Sequence, residues 1–337
     1  MLNRILTSCR VGLAATAFIL PTILTSAAKA AESDVLQAVV GIDSTIPQDA
    51  RTARILGTER QGSGVVIDDQ GLVLTIGYLI LEASGALVTG PDGKQVPASI
   101  VAYDNESGLG LLRLSQKLNV KPMRLGDSSG VTESDHVLIA ARGGQRPVSA
   151  ARVVSRRVFT GYWEYMLEKA IFTSPPHSFH SGAALVGEDG RLLGIGSLFV
   201  NDAAAPNVPL PGNMFVPVNG LKPVLADLLQ SGRRSGAKRP WIGANTFEAN
   251  GRLFVTRVTN NGPADKAGIK VGDLILGIRG LPVQNQADFY RRLWSSGEPG
   301  TEIELNVLPK DTNDLKIQKV PVLSRDRYNW LKINRSF

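Results

Sequence analysis

Gln61-Gly62-Ser63-Gly64-Val65-Val66-Ile67-Asp68-Asp69-Gln70-Gly71-Leu72-Val73-Leu74-Thr75 places two apolar runs of strand length on either side of a polar, glycine-containing turn. Aliphatic runs this short, punctuated this way, predict a β-hairpin. The unit recurs along the chain: 86–88 before Pro91-Asp92-Gly93, then 109–114, 136–140 and 151–154, then 183–186 before Glu188-Asp189-Gly190. Strands at this spacing with no helical period between them predict a mainly β barrel or sandwich.

The chain has 337 residues, enough for about two domains of roughly 100 to 200 residues each. Its 43% hydrophobic and 20% charged residues, with 35 Gly and 19 Pro, exclude a largely disordered or fibrous protein. Leu221, Val224, Leu225, Leu228 and Leu229 share one helical face over 221–230, which closes a first domain spanning 61–230. Residues 231–240, with Arg233, Arg234, Lys238 and Arg239 among small residues, read as an exposed linker. A second unit spans 241–323, followed by a tail at 324–337.

At the other end, Arg4 and Arg10 precede an uncharged stretch over 11–28, and Ala28-Lys29-Ala30 offers small residues for cleavage. Residues 1–30 are therefore expected to be a signal peptide, with a membrane anchor as the alternative, and 31–60 an N-terminal extension. Cys9, the one cysteine, falls in the leader, so a mature chain has no thiol chemistry. Without the leader's three cations, 34 basic residues face 30 acidic ones, a balance of +4 that is too mild to argue for nucleic acid. No cofactor or metal is expected: His177 and His180 lack a third ligand nearby, and His136 reads as an ordinary strand residue.

From 62 to 323 the chain resembles the HtrA-type serine proteases, a chymotrypsin-like double β-barrel followed by a PDZ domain. The resemblance rests on Gly62-Ser63-Gly64-Val65-Val66-Ile67 with 71–75, Leu125-Gly126-Asp127-Ser128, Ser181-Gly182-Ala183-Ala184-Leu185-Val186 and Phe215-Val216-Pro217-Val218-Asn219, in that order. It implies a nucleophilic serine at Ser181. The family's general-base histidine falls on Tyr78, and a phenol with an ordinary pKa of about 10 already holds its proton at neutral pH. The position of the orienting aspartate holds Gly108, and the nearby acids Asp104 and Glu106 are displaced from it by two to four residues. Phe179 stands at the first glycine of the family's Gly-x-Ser-Gly-Gly motif, which threatens one donor of the oxyanion hole. His177 or His180 acting as an unorthodox base is the alternative. Ala183 and Ala184 replace Gly and Pro of the family, and 201–212 is a candidate plug for the old substrate pocket.

In the second unit, Trp241-Ile242-Gly243-Ala244 resembles a PDZ carboxylate-binding loop. The resemblance continues through 253–258, Gly262-Pro263-Ala264-Asp265-Lys266-Ala267-Gly268 and 271–280, where Asp273 reads as a turn residue. It implies that a peptide C-terminus adds as a strand at 242–247 beside a helix over 286–293, with Ile242, Phe247, Phe289 and Leu293 lining an apolar pocket. A rival reading has this groove docked on the barrel or on a neighbouring subunit. The combined expectation is an exported, periplasmic pseudoprotease that binds peptides, protein C-termini or unfolded segments, trimeric by family resemblance. An active endopeptidase, and a non-catalytic subunit modulating an active homologue, are the alternatives.

Overall fold

The computed structural model describes residues 36–143, 147–311, 316–331 and 333. The expected leader, 1–30, lies outside the described residues. Val39–Thr45 (β1), Glu59–Val66 (β2), Leu72–Ile76 (β3), Gly85–Thr89 (β4), Gln95–Tyr103 (β5) and Leu109–Leu114 (β6) close a barrel in the order β1-β2-β3-β6-β5-β4. The hairpin anticipated at 61–75 is β2 and β3, paired Val65 to Leu74. Asp68 Oδ1 fixes its turn by accepting from the N–H groups of Gln70 and Leu72. Closure removes both sheet edges, and all five residues of β3 are buried.

This barrel does not begin at 61. The stretch read as an N-terminal extension supplies β1, which pairs with both β2 and β4 and buries Val39, Val40 and Ile42. Val39-Val40-Gly41-Ile42 is too short a run to be told from a loop without its two partners.

A second closed barrel, ordered β10-β11-β12-β9-β8-β7, is formed by His136–Ala140 (β7), Val148–Gly161 (β8), Tyr165–Ser174 (β9), Ala184–Val186 (β10), Leu192–Val200 (β11) and Gly212–Pro217 (β12). Its core joins Val137, Ile139, Ile171, Leu185 and Phe215. Strands β8 and β9 run on past the barrel as a hairpin tipped by 162–164. Leu225–Ser231 (a helix of the 221–230 segment) buries Leu228, and Gly232 ends it in the left-handed conformation.

The second unit is a sheet ordered β13-β14-β15-β16-β17, from Ala244–Ala249 (β13), Arg252–Val258 (β14), Leu274–Ile278 (β15), Glu302–Leu308 (β16) and Gln318–Leu323 (β17), with Gln286–Ser295 (the long helix) across it. Asn285 caps that helix by accepting from Asp288 N–H. Asp273 holds a turn, its carboxylate accepting from the N–H groups of Lys270 and Lys310.

Two boundary readings change. Residues 231–240 are not a solvated hinge: Arg234 donates to Asp104 at 2.9 and 2.7 Å and to Glu106 at 3.1 Å, and Arg239 reaches Glu106 at 3.0 Å. The tail is not featureless either, because Arg325–Asp326 pairs with Pro240–Trp241 and a helical turn follows at Arg327–Trp330. Both corrections have one cause: the basic residues find acidic partners on the first barrel and the tail, a match that local charge density does not display.

Candidate functional site

Ser181 sits in a tight turn between the barrels. The turn is fixed from three sides: Ser63 N–H donates to the Ser181 carbonyl at 2.8 Å, Gly182 N–H to Gly196 O at 2.8 Å, and Ala183 N–H to His180 O at 3.0 Å. Gly182 has φ +74°, and a Cβ there would overlap the Ser63 carbonyl, so the turn requires glycine.

Tyr78 enters from the first barrel on the short 3-10 turn Gly77–Leu79. Its Oη lies 2.9 Å from Ser181 Oγ and 2.7 Å from the Ser197 carbonyl oxygen in β11. The carbonyl can only accept, so the single phenolic hydrogen satisfies it and the Ser181 hydroxyl donates to the phenol oxygen. Burial pushes the phenol up to about 12, against the lowering effect of the Ser181 hydrogen bond. Serine and tyrosine thus form a closed hydrogen-bond chain across the two barrels. Nothing in that chain takes up a proton at neutral pH.

Gly108 adopts φ +76°, and a Cβ there would stand 2.9 Å from Tyr165 Oη. Tyr165 is fully buried and donates to the Ser107 carbonyl. Its ring stacks on Trp163 at 5.5 Å and meets Phe159 edge-on at 6.3 Å, which resists its displacement. Asp104 is 2% exposed and turned to Arg234, Ser107 Oγ and Ser107 N–H. These donors hold its carboxyl below the ordinary value although burial opposes them. Glu106 faces Arg234 and Arg239. Both acids weighed as substitutes for an orienting aspartate are committed to the inter-domain arginines.

Phe179 is half exposed, and its N–H donates to His177 Nδ1 at 3.1 Å. An N–H has one hydrogen, so this donor is spent on the imidazole. His177 is itself held by Asn213, whose Oδ1 accepts from His177 N–H at 2.6 Å. His180 is half buried, and burial lowers its pKa against the backbone of His177 and Ser178. The hydrogen-bond partner the structure gives Ser181 Oγ is the phenol. The 201–212 segment folds on itself, with Leu210 N–H donating to Asn201 O and Ala203 N–H to Leu210 O, and Ser155 Oγ donating to Ala203 O.

In the second unit, Gly243 has φ +77° and lets three successive N–H groups converge. All three donate to one carboxylate: Gly243 N–H to Glu164 Oε1 at 2.6 Å, Ala244 N–H to Oε1 at 3.1 Å, and Ile242 N–H to Oε2 at 3.1 Å. Glu164 belongs to the tip of the β8–β9 hairpin. Burial outweighs these donors and the nearby Arg327 and pushes its carboxyl up to about 7. Alongside, Thr246 N–H donates to Tyr162 O at 3.0 Å and Tyr290 Oη–H to Gly161 O at 2.7 Å.

Ile242, Phe289 and Leu293 are buried in one cluster with Met166 of β9. Trp241 is buried and packs on Trp330 at 5.4 Å. Phe247 does not join the pocket: along the edge strand Ala244 and Thr246 face in, and Phe247, at odd register, is 57% exposed. Glu164, Tyr290, Gln286 and Ser197 were missed in the sequence. Nothing in the run Gly161-Tyr162-Trp163-Glu164 points to residues 242–244.

Residues 62–195 match the family model of the trypsin-like peptidase domain, and residues 240–318 that of the PDZ domain. The periplasmic serine endoprotease DegP of Escherichia coli strain K12 is 29% identical over 67% of this chain and 50% of its own length. The serine protease Do-like HtrA of Bacillus subtilis is 23% identical over 73% of this chain and 60% of its own. The chain therefore spans about half the length of the curated relatives it matches. Among solved structures, the HtrA-type protease AlgW with decapeptide superposes with TM-score 0.53 at 21% identity, covering 88% of this chain and 97% of that one. The serine endoprotease from Yersinia pestis does so with TM-score 0.51 at 24% identity, over 88% and 97%.

Proposed function

Because the chain belongs to the HtrA-type family of trypsin-like barrels that carry a PDZ domain, we propose that it keeps the family's frame for holding polypeptide and does not hydrolyse it. The observation that carries this reading is the 2.9 Å pairing of Ser181 Oγ with Tyr78 Oη. Acyl transfer requires a group that removes the seryl proton as the bond to carbon forms. With the phenol near 12, roughly one molecule in 10⁵ carries the phenolate at pH 7. Gly108 gives no carboxylate to orient a base, and the Phe179 N–H that would stabilise an oxyanion is bound to His177.

The protein in this reading is periplasmic, as the names of the DegP relatives indicate for those proteins, and works by binding. Its ligands are peptides or protein C-termini, taken up through the 242–247 edge, and its role is regulatory or scaffolding, alone as a homo-oligomer or beside an active homologue. Purified protein incubated with a fluorescent fluorophosphonate and with casein is expected to give neither label nor cleavage. Labelling or cleavage that Ser181→Ala abolishes would establish the rival reading, an active endopeptidase with His177 or His180 as base.

A further inference from the structure

We infer that the carboxylate-binding loop of the PDZ domain is built to hold Glu164 of the same chain, so that the β8–β9 hairpin tip is a resident ligand that a peptide C-terminus has to displace. This rests on the reading of 242–247 as a peptide-binding edge and names what regulates it.

The tip supplies the three things an extended peptide C-terminus offers such a groove. It brings a carboxylate, and the N–H groups of Ile242, Gly243 and Ala244 all converge on Glu164 at 2.6 to 3.1 Å. It brings a backbone acceptor, since Tyr162 O takes the Thr246 N–H of the edge strand at 3.0 Å. It brings an apolar side chain, Met166, 6% exposed within the cluster of Ile242, Phe289 and Leu293.

The contact is engineered from the hairpin side as well. Glu164 holds φ +55°, an uncommon conformation for a residue with a side chain, and its N–H faces Tyr290 Oη at 3.3 Å. Tyr290 Oη also receives Gln286 Nε2 at 3.1 Å while donating to Gly161 O, so the helix reads the tip's backbone at two points. From the other side Arg327 donates to Trp163 O at 3.0 Å. Farther along, Arg291 pairs with Glu168 at 2.7 Å. A carboxylate that accepts three N–H groups leaves none for a second carboxylate, so occupancy by Glu164 and by a peptide terminus exclude each other.

The test uses the full chain and Glu164→Gln, which keeps the side-chain volume, with Tyr290→Phe as a second variant that removes only the hydroxyl facing Gly161. The first readout needs no ligand: amide hydrogen exchange at Ile242, Gly243, Ala244 and Thr246. Gln replaces one of the two acceptor oxygens by an NH2 group, which cannot accept from these N–H groups whereas a protonated carboxyl keeps both oxygens, so exchange is expected to speed at least about tenfold in Glu164→Gln, with the global melting transition retained. The second is fluorescence anisotropy with a fluorescein-labelled decapeptide ending in valine and its C-terminal amide. Glu164→Gln is expected to bind the free-acid probe at least about tenfold more tightly than the wild type, and neither protein to bind the amide.

Exchange unchanged in both variants overturns the inference. So does a wild type that binds the probe as tightly as Glu164→Gln does. Faster exchange without probe binding by any form supports resident occupancy and removes the reading of the groove as a receptor for C-termini.

Discussion

On the proposed non-hydrolytic reading, supplying an imidazole at 78 and a carboxylate at 108 should not produce an enzyme, and the obstacle is Gly108. Tyr78→His supplies an imidazole, but Gly108→Asp has to place a Cβ at φ +76°, 2.9 Å from Tyr165 Oη and 3.1 Å from its ring. A non-glycine residue in the left-handed region costs roughly 1–2 kcal/mol. Tyr165 is walled by Trp163, and its hydroxyl is committed to the Ser107 carbonyl, so displacing it leaves a buried pair unmade at about 1–3 kcal/mol. Urea denaturation is therefore expected to show Gly108→Asp, and Gly108→Ala equally, less stable than wild type by about 2–5 kcal/mol. The double variant Tyr78→His with Gly108→Asp is expected to leave fluorescent casein intact, since loss of the Phe179 N–H alone removes roughly 10²–10³ in kcat. Wild-type stability in Gly108→Ala, or casein turnover by the double variant, would refute this account.

Other substitutions probe the remaining contacts. Tyr78→Phe removes the bridge between the barrels and leaves the Ser197 carbonyl unpaired; chemical denaturation should show a loss of about 1–3 kcal/mol, with no gain of fluorophosphonate labelling. Arg234→Ala strands Asp104 as a buried carboxylate without its cation, which should cost about 3–5 kcal/mol at pH 7. Because Asp104 is held below its ordinary pKa of 3.8, the wild type keeps that contribution above this value and loses it as pH falls through the lower folded value. The variant's deficit should therefore shrink in acid, as read from denaturation at pH 3 against pH 7. Glu164, facing Arg327 and the Tyr290 phenol, is pushed from 4.5 up to about 7 when docked, so docking takes up a proton between those values. Acidification from pH 7 to 4.5 should favour the docked tip by up to about 3 kcal/mol. Exchange at Ile242–Ala244, corrected for its intrinsic pH dependence, should slow accordingly; faster corrected exchange in acid would contradict it.

What residues 78 and 108 can offer chemically is written in single positions, and those are legible in a sequence. A tyrosine at 78 holds its proton wherever its neighbours lie, and a glycine at 108 has no carboxylate to offer. The positions of β2, β3, β4, β6, β7, β10 and the start of β8 are equally plain, because turn residues such as 68–71 and 188–190 interrupt short aliphatic runs, whereas β5, β9, β11 and β12 are not marked as strands. The membership of β1 is not plain either, since Val39–Thr45 gains its meaning from pairing with strands that come later.

Only the folded chain decided which charges meet. Arg234 reads as one of four cations in a polar stretch until Asp104 closes on it, and Glu164 carries no signal in the sequence, though three N–H groups beyond the linker converge on its carboxylate. Pairing of that kind carries no period and no local composition, because its energy is the balance between a desolvation cost and the attraction of groups that only tertiary packing brings together. The sequence by itself therefore determined that a tyrosine stands at 78 and a glycine at 108, while the tertiary structure alone determined that the N–H groups of 242–244 converge on the carboxylate of Glu164.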